Sequence, residues 1–162
     1  MLDAQVDHVA IAVRDIGAAI PLFVDALGGE FLFAGENLSQ EFRWAQFRLP
    51  QGGKIELVTP IAGTGFVQRF LDGRGEGVHH ITLKVPDIVS SLEHLKSQGV
   101  EPVRVSLDHP SWKEAFIHPK EAHGVLIQIA QSSWTDEESV QHHLSDHATS
   151  DHRHIRLADL AT

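Results

Sequence analysis

The sequence predicts an α+β fold built from two copies of one βαβββ module, because two separate segments repeat at a single offset. Residues 7–16 (DHVAIAVRDI) match residues 79–88 (HHITLKVPDI), within the segment 77–88 (GVHHITLKVPDI), at an offset of 72 positions. Residues 52–57 (GGKIEL) match residues 124–129 (GVLIQI) at the same offset. Two matches at one offset indicate that the chain arose by internal duplication.

The first module is predicted as a strand, a helix and three further strands. Apolar residues alternate with other residues over residues 6–13, which is typical of a strand. Asp15 suits a helix N-cap, and apolar residues recur at helical spacing over residues 16–27. Pro21 lies early enough in this helix to cause no more than a slight kink or a delayed start. The remaining predicted strands are residues 30–34, 42–49 and 54–59, with turns at residues 35–37 and 50–53.

The second module is predicted to repeat this order. A strand is expected at residues 80–85, and Asp87 caps a helix that ends at Gly99. The further strands are predicted at residues 103–105, 113–118 and 124–130. The two modules, residues 5–60 and 77–131, therefore form one domain over residues 1–131, joined by a glycine-rich linker at residues 61–76.

The strand pattern places four polar residues on one face. In each first strand the apolar residues are expected to lie under the module's helix, the only local cover, so His8 and His80 point to the opposite, concave face. The same logic for the last strands leaves Glu56 and Gln128 on the concave side. Nitrogen and oxygen donors of these types suit a divalent first-row metal that keeps open positions for water or substrate. The sequence therefore predicts one metal-centred cavity.

The composition limits the classes of partner. With 13 basic and 22 acidic residues the formal charge is −9, which disfavours nucleic acid and anionic membranes as partners. The absence of cysteine excludes disulfides and thiolate metal sites. Neither a signal peptide nor a membrane span is indicated, so a cytoplasmic protein is expected. A small-molecule substrate and a homodimer are the other partners expected.

Residues 132–162 form a His-rich, acidic tail. Residues 135–138 (TDEE) resemble a capping box and predict a short helix to about Leu144. Five of the twelve histidines follow, at positions 142, 143, 147, 152 and 154. The tail beyond the helix is expected to be solvated and flexible, with adventitious metal binding and packing against a partner subunit as alternatives.

The repeat and its polar residues resemble the vicinal oxygen chelate superfamily, also called the glyoxalase/bleomycin-resistance/extradiol dioxygenase fold, over about residues 5–131. Residues 77–88 and residues 116–130 (FIHPKEAHGVLIQIA) look most like segments of the methylmalonyl-CoA epimerases. The resemblance implies one divalent ion, Co, Ni, Zn, Mn or Fe, and metal-stabilised enolisation of a thioester such as an acyl-CoA. The metal ligands that it implies are His8, Glu56, His80 and Gln128.

The chain departs from that family at its acid/base residues. Gln128 stands where the epimerases usually have a glutamate; its amide oxygen can ligate a metal but cannot carry a proton. Glu56 is therefore the predicted catalytic acid/base. The family's other proposed base has no certain match here, and Gln46 and Glu41 are the nearest candidates.

The predicted substrate-binding residues are Gln46, Lys113 and Lys120, with the lysines meeting an anion such as a CoA phosphate. His79 has the wrong parity for the cavity and is expected to be structural. Two alternatives remain open. One is an Fe(II) ring-cleaving dioxygenase on the same scaffold, and the other is a metal-free small-molecule binding or resistance protein.

Overall fold

The computed structural model describes residues 1–144 and 152–160, and the chain divides into two compact units. Unit 1 consists of Met1–Val9 and His79–Thr135, and unit 2 of Ala10–Val78 and Asp136–Thr162. Unit 1 thus contains nearly all of the second module, and unit 2 contains most of the first. No helix in the described part of the chain is long and apolar enough to cross a membrane.

Unit 1 is built from strands with one covering helix. Its elements are the start of β1 (Gln5–Ala12), nearly all of β5 (Gly77–Lys84), α3 (Ile88–Ser97), β6 (Val103–Ser106), β7 (Trp112–Ile117) and β8 (Leu126–Ser132). The strand order is β6-β7-β8-β5; β7 and β8 are antiparallel, and β5 and β8 are parallel. Asp87 caps α3, as predicted, by accepting a hydrogen bond from the Val89 amide at 3.0 Å.

Unit 2 is an antiparallel array of strands with several helices. Its elements are the end of β1, α1 (Ile16–Ile20), a π-helical segment (Pro21–Ala26), β2 (Glu30–Asn37), β3 (Phe42–Arg48), β4 (Lys54–Pro60), α2 (Phe66–Arg74), α4 (Asp136–Leu144), β9 (His152–Ile155) and α5 (Leu157–Leu160). The strand order is β4-β3-β2-β9. The predicted α+β class and the βαβββ order of both modules are confirmed.

The first helix differs from its prediction at Pro21. The α-helix ends at Ile20, and the chain continues as a π-helix in which the Leu27 amide donates to the Leu22 carbonyl at 3.0 Å. Proline has no amide hydrogen to donate within a helix, so the regular ladder is interrupted at this position. The sequence pattern predicted a slight kink, whereas the structure changes helix type.

The turn predicted at residues 35–37 is wrong, because β2 continues to Asn37 and pairs there with Phe42. Gly35 marks close packing within a strand. A Cβ at Gly35 would lie 3.0 Å from the Arg153 carbonyl oxygen and 3.0 Å from a ring carbon of Trp44. Glycine in a strand permits such an approach, which the sequence pattern could not distinguish from a turn.

The predicted linker forms α2, a helix that contributes to the core of unit 2. Leu57 packs with the residues of α1 in one buried cluster, whereas the neighbouring Val58 packs with Val67 and Leu71 of α2 in another. The strands of unit 2 are therefore covered on both faces. The prediction that the module's own helix is the only local cover is wrong.

The predicted flexibility of the tail does not hold for residues 152–160. β9 pairs with β2, and Leu160 is only 3% exposed in the same core cluster as Ile16. The helix predicted before it is confirmed as α4, and Asp136 in its first turn accepts a hydrogen bond from Lys54 Nζ at 2.6 Å. Apolar residues of the final segment thus complete a core of unit 2. His147, the middle histidine of the tail, lies outside the described residues.

Replacement of Leu160 by alanine is expected to destabilise unit 2 by about 2–5 kcal/mol, because it leaves a cavity in a packed cluster. Urea unfolding of the variant and of the unmodified protein would measure the change. Leu27→Ala is the control, since Leu27 is 48% exposed and its truncation should cost much less. Equal effects of the two substitutions would contradict the packing of α5.

Candidate metal centre

Unit 1 brings His8 and His80 together. His8 lies on β1 and His80 on β5, and the two side chains are 2% and 8% exposed. Their ring centroids are 5.7 Å apart, with the planes inclined at 73°. The repeated histidines, aligned in the sequence at an offset of 72, are therefore neighbours in space.

A chain of hydrogen bonds links these histidines to Gln128. Thr82, fully buried on β5, has its Oγ1 3.0 Å from His8 Nε2 and donates to Gln128 Oε1 at 2.6 Å. Thr82 and Gln128 are direct partners of the parallel β5–β8 pair. Gln128 also forms a side-chain hydrogen bond with His80. Three of the four predicted metal ligands thus belong to one buried network.

Asp7 fixes the orientation of the His8 ring. His8 Nδ1 lies 2.7 Å from Asp7 Oδ2, and the other carboxylate oxygen lies 3.5 Å from Lys84 Nζ. A carboxylate next to one ring nitrogen is common around metal-binding histidines, and the other nitrogen, here Nε2, is then the one that would face a metal. The local sequence Asp7-His8 therefore orients Nε2 toward Thr82 and Gln128.

Burial lowers the pKa of His80 well below its usual value. The neighbouring rings of His79 and His8 lower it further, and the hydrogen bond to Gln128 acts in the opposite direction. His80 is consequently neutral at pH 7, the form in which an imidazole nitrogen binds a metal. His79 Nδ1 lies 2.9 Å from His80 Nδ1, so one ring donates to the other. With N and O donors and a neutral imidazole, this network could hold a divalent ion.

Glu114 is a site residue that the sequence analysis missed. It lies on β7, and its Oε2 accepts hydrogen bonds from Gln128 Nε2 at 2.6 Å and from Trp112 Nε1 at 2.9 Å. The signal was present in the sequence. Within the predicted strand over residues 113–118, Glu114 lies on the opposite face to the apolar residues Ala115 and Ile117, so it points away from the module's helix.

Unit 2 holds Glu56 against Gln46. The two residues are direct partners of β3 and β4, both are buried, and Gln46 Nε2 donates to Glu56 Oε2 at 2.9 Å. Gln46 Oε1 is a buried acceptor that receives no hydrogen bond from the described part of the chain. Since an unsatisfied buried acceptor is costly, this oxygen is suited to receive an N–H or O–H group from a bound molecule.

The other predicted residues lie outside these networks. Lys113 is on the same face of β7 as Ala115 and Ile117, which pack in the core cluster that contains α3, so its position is on the α3 face of the strand. Lys120 is exposed in the turn before β8. Glu41, the other carboxylate considered as a base, accepts a hydrogen bond from the Thr64 hydroxyl.

The fold and these networks define a family. The chain matches the Glyoxalase/Bleomycin resistance protein/Dioxygenase superfamily over residues 7–116, and it belongs to this superfamily. The predicted resemblance is thereby confirmed.

Relatives of known and unknown activity resemble the chain. The uncharacterized protein YqjC of Bacillus subtilis (strain 168) is 32% identical over 131 residues, which are 78% of this chain and 91% of that protein. The ethylmalonyl-CoA/methylmalonyl-CoA epimerase of Cereibacter sphaeroides is 31% identical over 134 residues, 78% of this chain and 97% of that protein. The crystal structure of methylmalonyl-CoA epimerase from Mycobacterium tuberculosis has a TM-score of 0.72 and 33% identity, covering 80% of this chain and 88% of that one.

The lowered pKa of His80 predicts how the stability of the metal-free protein depends on pH. Below about pH 6.5 the unfolded chain protonates this histidine and the folded chain does not, so stability decreases as the pH falls, by up to about 1.4 kcal/mol per pH unit. Chemical unfolding in EDTA between pH 7.5 and 5.5 would measure the slope, which should be smaller for His80→Gln. Parallel curves for the two proteins would contradict the assignment.

Proposed function

We propose that the chain is a metal-dependent enzyme that removes and returns a proton next to a carbonyl group, as the epimerases among its relatives do. One divalent ion would be held by His8, Glu56 and His80, with the Gln128 oxygen as a fourth ligand. The buried pair His8 and His80, joined through Thr82 to Gln128, is the observation that carries this proposal. The identity of the metal stays open among Co, Ni, Zn, Mn and Fe.

The internal repeat supports the inclusion of Glu56. It occupies in the first module the position that Gln128 occupies in the second, as His8 corresponds to His80. Glu56 is buried on β4, and its carboxylate is held by Gln46.

In this proposal the metal supplies polarisation of the substrate carbonyl. The side chains of the protein do the rest. Glu56 would take the proton at the carboxylate oxygen that does not accept from Gln46, and would then return it. Gln46 keeps the carboxylate oriented, and its Oε1 accepts an N–H or O–H group of the substrate.

An acyl-CoA thioester is the proposed substrate class. The support is that two of the similar proteins are named as epimerases of methylmalonyl-CoA. Lys120 is exposed before β8, where its ammonium group can meet a CoA phosphate. Lys113 has no comparable support, because its strand position is on the α3 face. The homodimer expected from the sequence stays a prediction.

Metal analysis of the full-length chain tests the proposed centre. We expect about one first-row metal per chain after reconstitution, and loss of the metal in both His8→Ala and His80→Ala, because each removes a ligand nitrogen. His123→Asn is the matched control, since His123 is exposed and Asn tolerates its positive φ of 52°. Wild-type protein that binds no stoichiometric metal would leave a metal-free binding protein as the better description.

Replacement of Glu56 by glutamine separates binding from proton transfer. The substituted side chain keeps the shape of the original but cannot take a proton, so exchange of the α-proton of methylmalonyl-CoA with deuterium should slow by about 100-fold or more. Mass spectrometry of the recovered substrate would measure the exchange. Glu41→Gln is the control and should leave the rate unchanged, because Glu41 is engaged by Thr64. Undiminished exchange in Glu56→Gln would remove Glu56 from the mechanism.

A further inference from the structure

We propose that Glu114 is a positioning residue, which fixes the side-chain amide of Gln128 so that its oxygen, and not its nitrogen, is presented to Thr82 and His80. The inference rests on the proposed function only in treating Gln128 as a metal ligand. It concerns a residue on β7 that the internal repeat does not mark.

The hydrogen-bonding groups around Gln128 allow one orientation of its amide. The Thr82 hydroxyl can donate or accept a hydrogen bond, so Thr82 alone would accommodate either end of the amide. Glu114 Oε2 receives the Trp112 indole N–H at 2.9 Å, and the indole nitrogen can only donate. The same carboxylate oxygen lies 2.6 Å from Gln128 Nε2. Because an ionised carboxylate only accepts hydrogen bonds, the nitrogen end of the Gln128 amide must face Glu114. Gln128 Oε1 is left to accept from Thr82 at 2.6 Å.

The orientation of the amide decides whether Gln128 can bind a metal. An amide oxygen is a ligand for divalent ions, whereas the amide nitrogen carries two hydrogens and offers no lone pair. Oε1 has two lone pairs. One accepts from Thr82, and the other, which faces His80 in the metal-free protein, is the one that would bind an ion. Glu114 therefore keeps the ligating atom on the side of the histidines, as outer partners of metal ligands commonly do.

The same type of pair occurs in unit 2 with its members exchanged. There the carboxylate is on the last strand of the module, as Glu56 on β4, and the amide is on the neighbouring strand, as Gln46 on β3. In unit 1 the amide, Gln128, is on the last strand β8, and the carboxylate, Glu114, is on its neighbour β7. Each unit thus has one pair that consists of a carboxylate and an amide on neighbouring strands. The glutamine at position 128 is matched by an acidic residue one strand away.

Two substitutions of Glu114 distinguish orientation from simple packing. In Glu114→Gln the new side-chain oxygen can still accept from Gln128 Nε2, whereas in Glu114→Leu, of similar size, no acceptor remains. In metal-free protein, NMR should show the Gln128 side-chain NH₂ pair, assigned by its loss in Gln128→Leu, slow to exchange with solvent in wild type and Glu114→Gln. Fast exchange is expected in Glu114→Leu. Calorimetry should show metal affinity about tenfold or more weaker in Glu114→Leu and nearly unchanged in Glu114→Gln.

The controls keep this inference separate from the proposed function. Trp112→Phe removes the second donor to Glu114 but not the acceptor for Gln128, so the NH₂ pair should stay protected. If wild-type protein binds no metal, the proposed function fails, and the NMR comparison still decides the role of Glu114. A protected NH₂ pair in Glu114→Leu, or equal loss of metal affinity in both Glu114 variants, would overturn the inference.

If Glu114→Leu does not fold, an exchange of the two groups tests the same point. Gln128→Glu alone places two carboxylates within hydrogen-bond distance and should lower the unfolding temperature. The double variant Glu114→Gln with Gln128→Glu restores a donor and an acceptor and should recover that temperature. Failure of the second substitution to rescue the first would contradict a directed Glu114–Gln128 pair.

Discussion

The buried hydrogen-bond chain of unit 1 is the constraint on which the candidate site depends. It runs from Asp7 through His8, Thr82 and Gln128 to Glu114. Buried polar groups need partners, so each member limits the orientation of the next. This network begins and ends at carboxylates, and at the Glu114 end the carboxylate accepts from Gln128 while Gln128 accepts from Thr82. The position of a residue in a strand sets the face on which its side chain lies, but it does not set the orientation of an amide or imidazole group on that face.

The duplication places equivalent polar residues in two similar modules. Each module contributes a histidine on its first strand and a polar residue on its last, at equivalent positions of the repeat. The two modules are not identical at these positions. The last strand carries the carboxylate in the first module and the amide in the second, and the neighbouring strand carries the other group.

The elements of both modules were predictable because alternation and helical spacing are local properties of the chain. The caps at Asp15 and Asp87 are likewise local, and both are confirmed. The errors occurred where a distant segment decides the outcome. Gly35 looked like a turn residue, but Trp44 and Arg153 pack against it within a strand. The tail was expected to be flexible because it is rich in histidine and acidic residues, yet Ile155, Leu157 and Leu160 pack in a core of unit 2.

The sequence by itself determined the two-module α+β fold and the repeated residues, His8 with His80 and Glu56 with Gln128, since a fixed offset is visible without coordinates. Only the tertiary structure decided which side chains form hydrogen bonds with these residues. Thr82 and Gln128 are 46 positions apart, and the Glu114–Gln128 contact is diagonal across two strands, not between direct partners. Strand register and hydrogen-bond direction set such pairings, and neither is encoded in local periodicity.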